Sequence, residues 1–164
     1  MRYYTGHGDT GTTRTADGRP VPKDDPYIIY EGLVDGAQCA LGFAAVRAGA
    51  DGFDDLQAVL GECERCLFAV SERDADARAA LLSRLEQLCD AWTPARAQDG
   101  FVLPGGSELS ARIELARVAV RAAERAAVTA GVTAAIPVLN RLSDLLYALA
   151  RSANRLAGIP DTPV

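Results

Sequence analysis

No stretch of this chain approaches the roughly 20 consecutive apolar residues that a membrane-spanning helix needs, so it is not expected to cross a bilayer. The opening Met1-Arg2-Tyr3-Tyr4 has neither a charged leader region nor an apolar run behind it. Histidine is nearly absent: His7 is the only one, and its place in a Gly/Thr-rich arm excludes a credible Ser/His/Asp or Cys/His relay. Cysteine is sparse, and Cys39, Cys63, Cys66 and Cys89 all fall in helix-like stretches. Cys63-x-x-Cys66 lacks the second pair or nearby His of a zinc set, and the βαβ surroundings of a redox motif, so helix packing is the simpler reading. These absences predict a cytoplasmic protein with reduced thiols. Basic charge is also in deficit. Seventeen Lys and Arg against 22 Asp and Glu leave −5, which argues against a nucleic-acid surface and leaves any anionic ligand to a local basic cluster.

What is present is helical. The 164 residues fit one domain, 1–164, at a size where folding hides roughly two thirds of the unfolded surface. From Met1 to about Tyr30 the chain is rich in Gly, Thr, Asp and Pro without helical period, which predicts an irregular arm. From Glu31 apolar residues recur three and four apart, and five amphipathic helices are predicted. They run over about Glu31–Ala48, Asp54–Ser71, Asp74–Ala91, a stretch after the N-cap Ser107 to Ala130 with Gly131 as its stop, and Thr133–Leu156. A Pro/Gly-rich loop from Thr93 to Gly106 separates the third from the fourth. Successive helices with short connections predict an all-α, five-helix antiparallel bundle.

The last two helices carry the notable polar residues. Arg117, Arg121 and Arg125 recur every four residues and so share one face, with Glu124 one turn beyond Arg121. Leu109, Ile113, Ala116, Val120 and Ala123 form a separate apolar face. On the fifth helix Asn140, Asp144, Tyr147 and Arg151 make a polar row beside Leu139, Leu142, Leu145, Leu146 and Leu149. Stacked arginines repel unless an anion lies among them, and arginine suits bidentate capture of phosphate or carboxylate. The alternative is a salt-bridge ladder with Glu114, Glu124 and Asp144, and spacing leaves both open. The arm segment Thr5-Gly-His-Gly-Asp-Thr-Gly-Thr-Thr13 can turn backbone N–H groups and hydroxyls toward an anion, although any turn-rich arm has this composition. His7 can contact phosphate or metal from there, or stand exposed and unengaged. With no protein nucleophile in sight, any chemistry takes its nucleophile from the substrate.

Together these segments resemble the PduO-type ATP:cob(I)alamin adenosyltransferases. The resemblance rests on Thr5-x-x-Gly8-Asp9-x-Gly11-x-Thr13, Lys23-Asp24-Asp25, Val34-Asp35 with Ala40-Leu41-Gly42, and Phe101-Val-Leu-Pro-Gly-Gly-Ser107. Leu115-Ala-Arg117, Arg121-Ala-Ala-Glu124-Arg125 and Leu139-Asn-Arg-Leu-Ser-Asp-Leu-Leu146 complete it in the family's order. It implies a trimer of five-helix bundles that moves the 5′-deoxyadenosyl group of ATP onto cobalt(I) of cobalamin and releases triphosphate. Thr5, Gly8, Asp9, Gly11, Thr13 and Lys23 would hold the triphosphate with Mg2+, and Arg121, Glu124, Arg125 and Asn140 would surround the nucleotide, with Asp144 in the same string. Asp35 and Arg117 resemble an intersubunit ion pair beside the corrinoid, and Phe101 the residue that crowds out the lower cobalt ligand. No protein residue is assigned as a metal ligand. A cobalamin reductase or a cobalamin-dependent enzyme is an implied partner, whereas nucleic acid and membrane are not.

The chain departs from that pattern where polyphosphate is expected. The family usually carries Lys at the positions of Gly6 and Thr10, Arg near Pro20 and a second Arg at Ala122, and Gly36-Ala37-Gln38 stands where Glu-Leu-Asn is usual. Arg14 or Arg19 can replace one of these charges. The departures keep a second reading in view, a diverged, non-catalytic binder of a corrinoid or small anion, alongside an enzyme of this fold with another acceptor.

Overall fold

A computed structural model of the chain describes residues 2–70, 75–93 and 102–164. Its first element is a small hairpin of β1 (Thr12–Arg14) and β2 (Pro20–Pro22), antiparallel with Thr13 opposite Val21. The arm is therefore not irregular throughout. Strands of three residues are too short to register as periodicity, which is why the sequence pattern misses them. Nor does the arm reach Tyr30, because α1 (Pro26–Ala50) starts five residues before the predicted Glu31. Asp25 caps it by accepting the Tyr27 N–H at 2.9 Å, and Pro26 fits the first turn, where its missing N–H costs nothing.

The turn at 51–53 leads into α2 (Asp54–Ala69), which packs along α1 and must run antiparallel to it given so short a connection. Then come α3 (Ala75–Trp92), α4 (Glu108–Ala130) and α5 (Ile136–Leu156), the last entered through a 3-10 turn at Thr133–Ala135 with Pro137 in its first turn. Ser71, Asp74 and most of the Thr93–Gly106 loop lie outside the described residues. Helix α4 lies between α1 and α5, and α3 covers another side of α5. The apolar faces read from spacing on α4 and α5 are all in the core: Leu109, Ile113, Val120, Leu139, Leu142, Leu145, Leu146 and Leu149 are fully buried. Each such side chain contributes about 1.5–3 kcal/mol by leaving water. No described helix is long and apolar enough to cross a membrane.

The entry to α4 is held from below by α5. Ser107 caps the helix, its hydroxyl accepting the Ser110 N–H at 3.0 Å. Asn154 of α5 accepts the Ser107 N–H at 2.8 Å and donates to the Gly105 carbonyl at 2.9 Å. Gly106 between them has φ +94°, and a Cβ there would sit 2.6 Å from the Asn154 amide. Only glycine meets both demands, which gives the Gly-Gly-Ser string its physical reason.

Candidate functional site

Helices α4 and α5 present their polar rows side by side, and a hydrogen bond from Asn140 Nδ2 to Glu124 Oε1 (3.2 Å) ties them together. Arg121 and Arg125 flank Glu124 on the exposed side of α4, and neither has an ion pair among the described residues. Arg125 borders an open, mostly apolar cleft of about 330 Å3 with Pro26, Ile29, Leu33, Ala122 and Thr129. Among the described residues the ladder is realised only at its first rung, where Arg117 Nε donates to Glu114 Oε2 at 2.6 Å. Asp144 stands one turn from Asn140, but its carboxylate takes Arg141 at 2.8 Å, and Arg141 also reaches Glu86 of α3. Two cations thus face solvent beside a carboxylate and an amide, an arrangement able to receive an anion that also carries donors.

Arg151 is a correction to the polar row. It is buried, donating to Glu114 Oε1 at 3.0 Å and to Asp161 Oδ1 at 2.9 Å. Its position on α5 places it against α4, so its charge serves the interior. Asp161 and Asn154, which complete this network, had no signal in the sequence, since Asp161 lies beyond the helix in the 157–164 tail.

The arm assembles much as its composition predicts. Turns closed by Asp9 N–H to Gly6 O (3.3 Å) and Gly11 N–H to Gly8 O (3.1 Å) coil the Thr5–Thr13 loop, and the Thr5 hydroxyl accepts the His7 N–H. Lys23 joins it: its backbone N–H donates to Gly11 O at 2.9 Å, and its side chain lies over Gly8, where a Cβ would meet Lys23 Nζ at 3.3 Å. With φ +95° and the Thr12 carbonyl oxygen 3.0 Å from where a Cβ would stand, any substitution at Gly8 is strained. Gly6, His7, Gly8, Thr10, Thr12, Thr13, Arg14 and Pro20 line an open cleft of about 710 Å3. Of the two arginines that can replace a missing charge, Arg14 is on this cleft and Arg19 is not. The two strands pair chiefly with each other, and the arm cleft and the cleft at Arg125 share no lining residue.

Asp35 is exposed on α1, at the edge of a cleft of about 180 Å3 with Tyr30, Val34 and Phe68, and it has no ion pair among the described residues. Arg117, its expected partner in another subunit, meets Glu114 through Nε within the chain. Phe101 lies outside the described residues. Next to it, Val102 bridges to Pro163, and the Leu103 N–H donates to Thr162 O at 2.8 Å, so the tail pins the segment that follows Phe101. Cys63 and Cys66 are buried in α2, as expected of packing residues. Burial pushes the Cys63 thiol well up and that of Cys66 to about 11, so neither serves as a nucleophile.

The family model described as cobalamin adenosyltransferase matches residues 3–153. The corrinoid adenosyltransferase of Mycobacterium tuberculosis (strain ATCC 25618 / H37Rv) is 37% identical, over 93% of this chain and 89% of that one. The corrinoid adenosyltransferase of Bacillus subtilis (strain 168) is 35% identical, over 98% and 91%. Among solved structures, a variant PduO-type ATP:corrinoid adenosyltransferase from Lactobacillus reuteri, complexed with cobalamin and ATP, superposes with a TM-score of 0.78 at 27% identity, covering 99% of each chain. The chain belongs to the cobalamin adenosyltransferase family.

Proposed function

We propose that the chain transfers the 5′-deoxyadenosyl group of ATP to cob(I)alamin, giving adenosylcobalamin and triphosphate. The observation that carries this reading is the pair of exposed arginines, Arg121 and Arg125, without an ion pair among the described residues and set around the Glu124–Asn140 hydrogen bond. In the reaction cobalt(I) of the substrate attacks C5′, the C5′–O bond breaks, and its electron pair leaves with triphosphate. The protein supplies position and charge. Arg121 and Arg125 hold the nucleotide, Glu124 and Asn140 meet its donors and acceptors, and the Lys23 ammonium over the arm loop stabilises the leaving polyphosphate. Asp9 is the carboxylate of that loop, which also carries Thr5, Thr10 and Thr13. Such oxygen donors would suit a largely hydrated Mg2+ held mainly by the phosphates, whose charge it would screen.

The active unit we propose is a cytoplasmic trimer. That the arm cleft and the cleft at Arg125 share no lining residue supports a cleft completed by a second copy, in which Asp35 of one subunit reaches Arg117 of another beside the corrinoid and Phe101 crowds the lower face of cobalt. Leu115 and Val118 on α4 and Phe43 and Val46 on α1, all more than half exposed, are the apolar surface such a copy would cover. Four free thiols, Cys39, Cys63, Cys66 and Cys89, support a reducing compartment.

Mixing protein, Mg-ATP and chemically reduced cobalamin, and following the corrinoid absorbance and triphosphate release, tests the reading. Product without protein dependence, or none at saturating substrates, overturns it. A second reading draws on the uncharged Gly6, Thr10 and Pro20 lining the arm cleft, a site that offers few cations to a polyphosphate. It makes the chain a corrinoid or small-anion binder without ATP chemistry. Micromolar ATP binding by calorimetry rules against it.

A further inference from the structure

Arg117 is the corrinoid-side arginine of the proposed reaction, and the structure surrounds it with groups that the reaction does not employ. Glu114, one turn earlier on α4 and 6% exposed, spends both carboxylate oxygens on arginines: Oε2 accepts from Arg117 Nε at 2.6 Å and Oε1 from Arg151 at 3.0 Å. A buried carboxylate requires such partners, and a buried arginine requires them equally. Arg151, 7% exposed, meets its second demand through Asp161 at 2.9 Å, and Asp161 is fixed in turn by Asn154 Nδ2 at 2.8 Å. The chain Asp161, Arg151, Glu114, Arg117 alternates in sign and sums to zero, with Glu114 shared between the two cations. The Tyr147 ring completes the enclosure, with the guanidinium of Arg117 6.0 Å and that of Arg151 5.4 Å from its centroid.

Arg117 makes its hydrogen bond through Nε alone among the described residues, which leaves both Nη groups for an incoming partner. An arginine already held in one rotamer loses less freedom on binding than a loose one, so the holding group contributes to affinity without touching ligand. We propose that Glu114 is a positioning residue for Arg117, kept in place by Arg151 and, through it, by Asp161 of the C-terminal tail. The inference rests on the reading of Arg117 as a corrinoid-side residue, and it makes the tail a determinant of corrinoid binding that ATP binding does not sense.

Glu114→Gln is the informative variant. A carboxamide keeps the shape, but it accepts from only one of the two guanidiniums and turns an N–H donor toward the other. The Michaelis constants for cob(I)alamin and for ATP are measured separately for wild type, Glu114→Gln, Arg117→Ala and the double variant. Loss of one charge-assisted contact predicts a rise of about tenfold or more in the corrinoid constant for each single variant. The ATP constant stays within about twofold, and Glu114→Gln has no further effect once Arg117 is alanine. A role confined to stability gives no such split and no such dependence on Arg117. If Arg117→Ala raises the corrinoid constant while Glu114→Gln does not, or if the two effects add in full, the inference fails and the reading of Arg117 stands. If Arg117→Ala itself leaves the corrinoid constant unchanged, that reading fails and carries the inference with it. Should Glu114→Gln not fold, Asp161→Asn in the same cycle decides by the same criteria.

Discussion

Removing Arg151 should unfold this protein far more readily than removing Arg121, although both are arginines on the two helices that carry the site. Arg151 is 7% exposed and joined to Glu114 and Asp161 by ion pairs of 3.0 and 2.9 Å. Arg151→Ala leaves the Glu114 carboxylate buried with a single partner and opens a gap between α4 and α5. Breaking a buried pair from one side costs about 3–5 kcal/mol, a large part of the roughly 5–15 kcal/mol that holds a domain folded. For a chain of this length each kcal/mol lowers the melting temperature by about 2–4 °C, so a fall on the order of 6–20 °C is expected. The assay is urea and thermal unfolding followed by circular dichroism at one protein concentration, since association of copies also contributes to the midpoint. Replacing both partners, as Arg151→Met with Glu114→Leu, should recover part of the loss, because Asp161 keeps Asn154 and neither charge of the pair is stranded. A loss below about 1 kcal/mol for Arg151→Ala would refute the buried network.

Arg121→Ala should change unfolding by no more than about 0.5 kcal/mol, because the side chain is exposed and without an ion pair among the described residues, yet weaken ATP binding by roughly 10-fold to 100-fold in calorimetry. Loss of stability without loss of affinity would return Arg121 to a structural role. At pH 8 a thiol-alkylating reagent should modify exposed Cys39 quickly and buried Cys63 and Cys66 only on unfolding, as read by mass spectrometry. The raised Cys66 pKa favours the protonated folded form, so its contribution is fully present below the ordinary value of 9.0 and fades as pH rises toward about 11. Falling urea midpoints across that window, reduced in Cys66→Ala, are the expected sign. Gly106→Ala should cost about 1–3 kcal/mol, since φ +94° and the Asn154 amide at 2.6 Å both reject a Cβ. An unchanged melting curve would show that the α4 entry is not held as described.

The sequence alone determined the presence of five helices, the caps of α4 and the apolar faces of α4 and α5, because those depend on neighbours within a few residues. Ser107, Gly131 and the leucines of α5 stand where periodicity and capping preferences put them. It also carried the motif strings by which the chain resembles its family. Periodicity did not reveal the start of α1 at Pro26, where the Asp25 cap acts before any apolar repeat begins, nor the three-residue strands of the arm. Tertiary structure alone decided which arginines are free. Arg121 and Arg151 carry the same charge in similar-looking rows, and helical spacing cannot say that one faces solvent while the other meets Glu114 and Asp161 across α4 and the tail. Helix α5 is buried on most of its circumference, so a charged residue on an inward face of it must be paired there. The partner that makes Arg151 tolerable comes from a segment whose fold-back over the helix end no local pattern encodes.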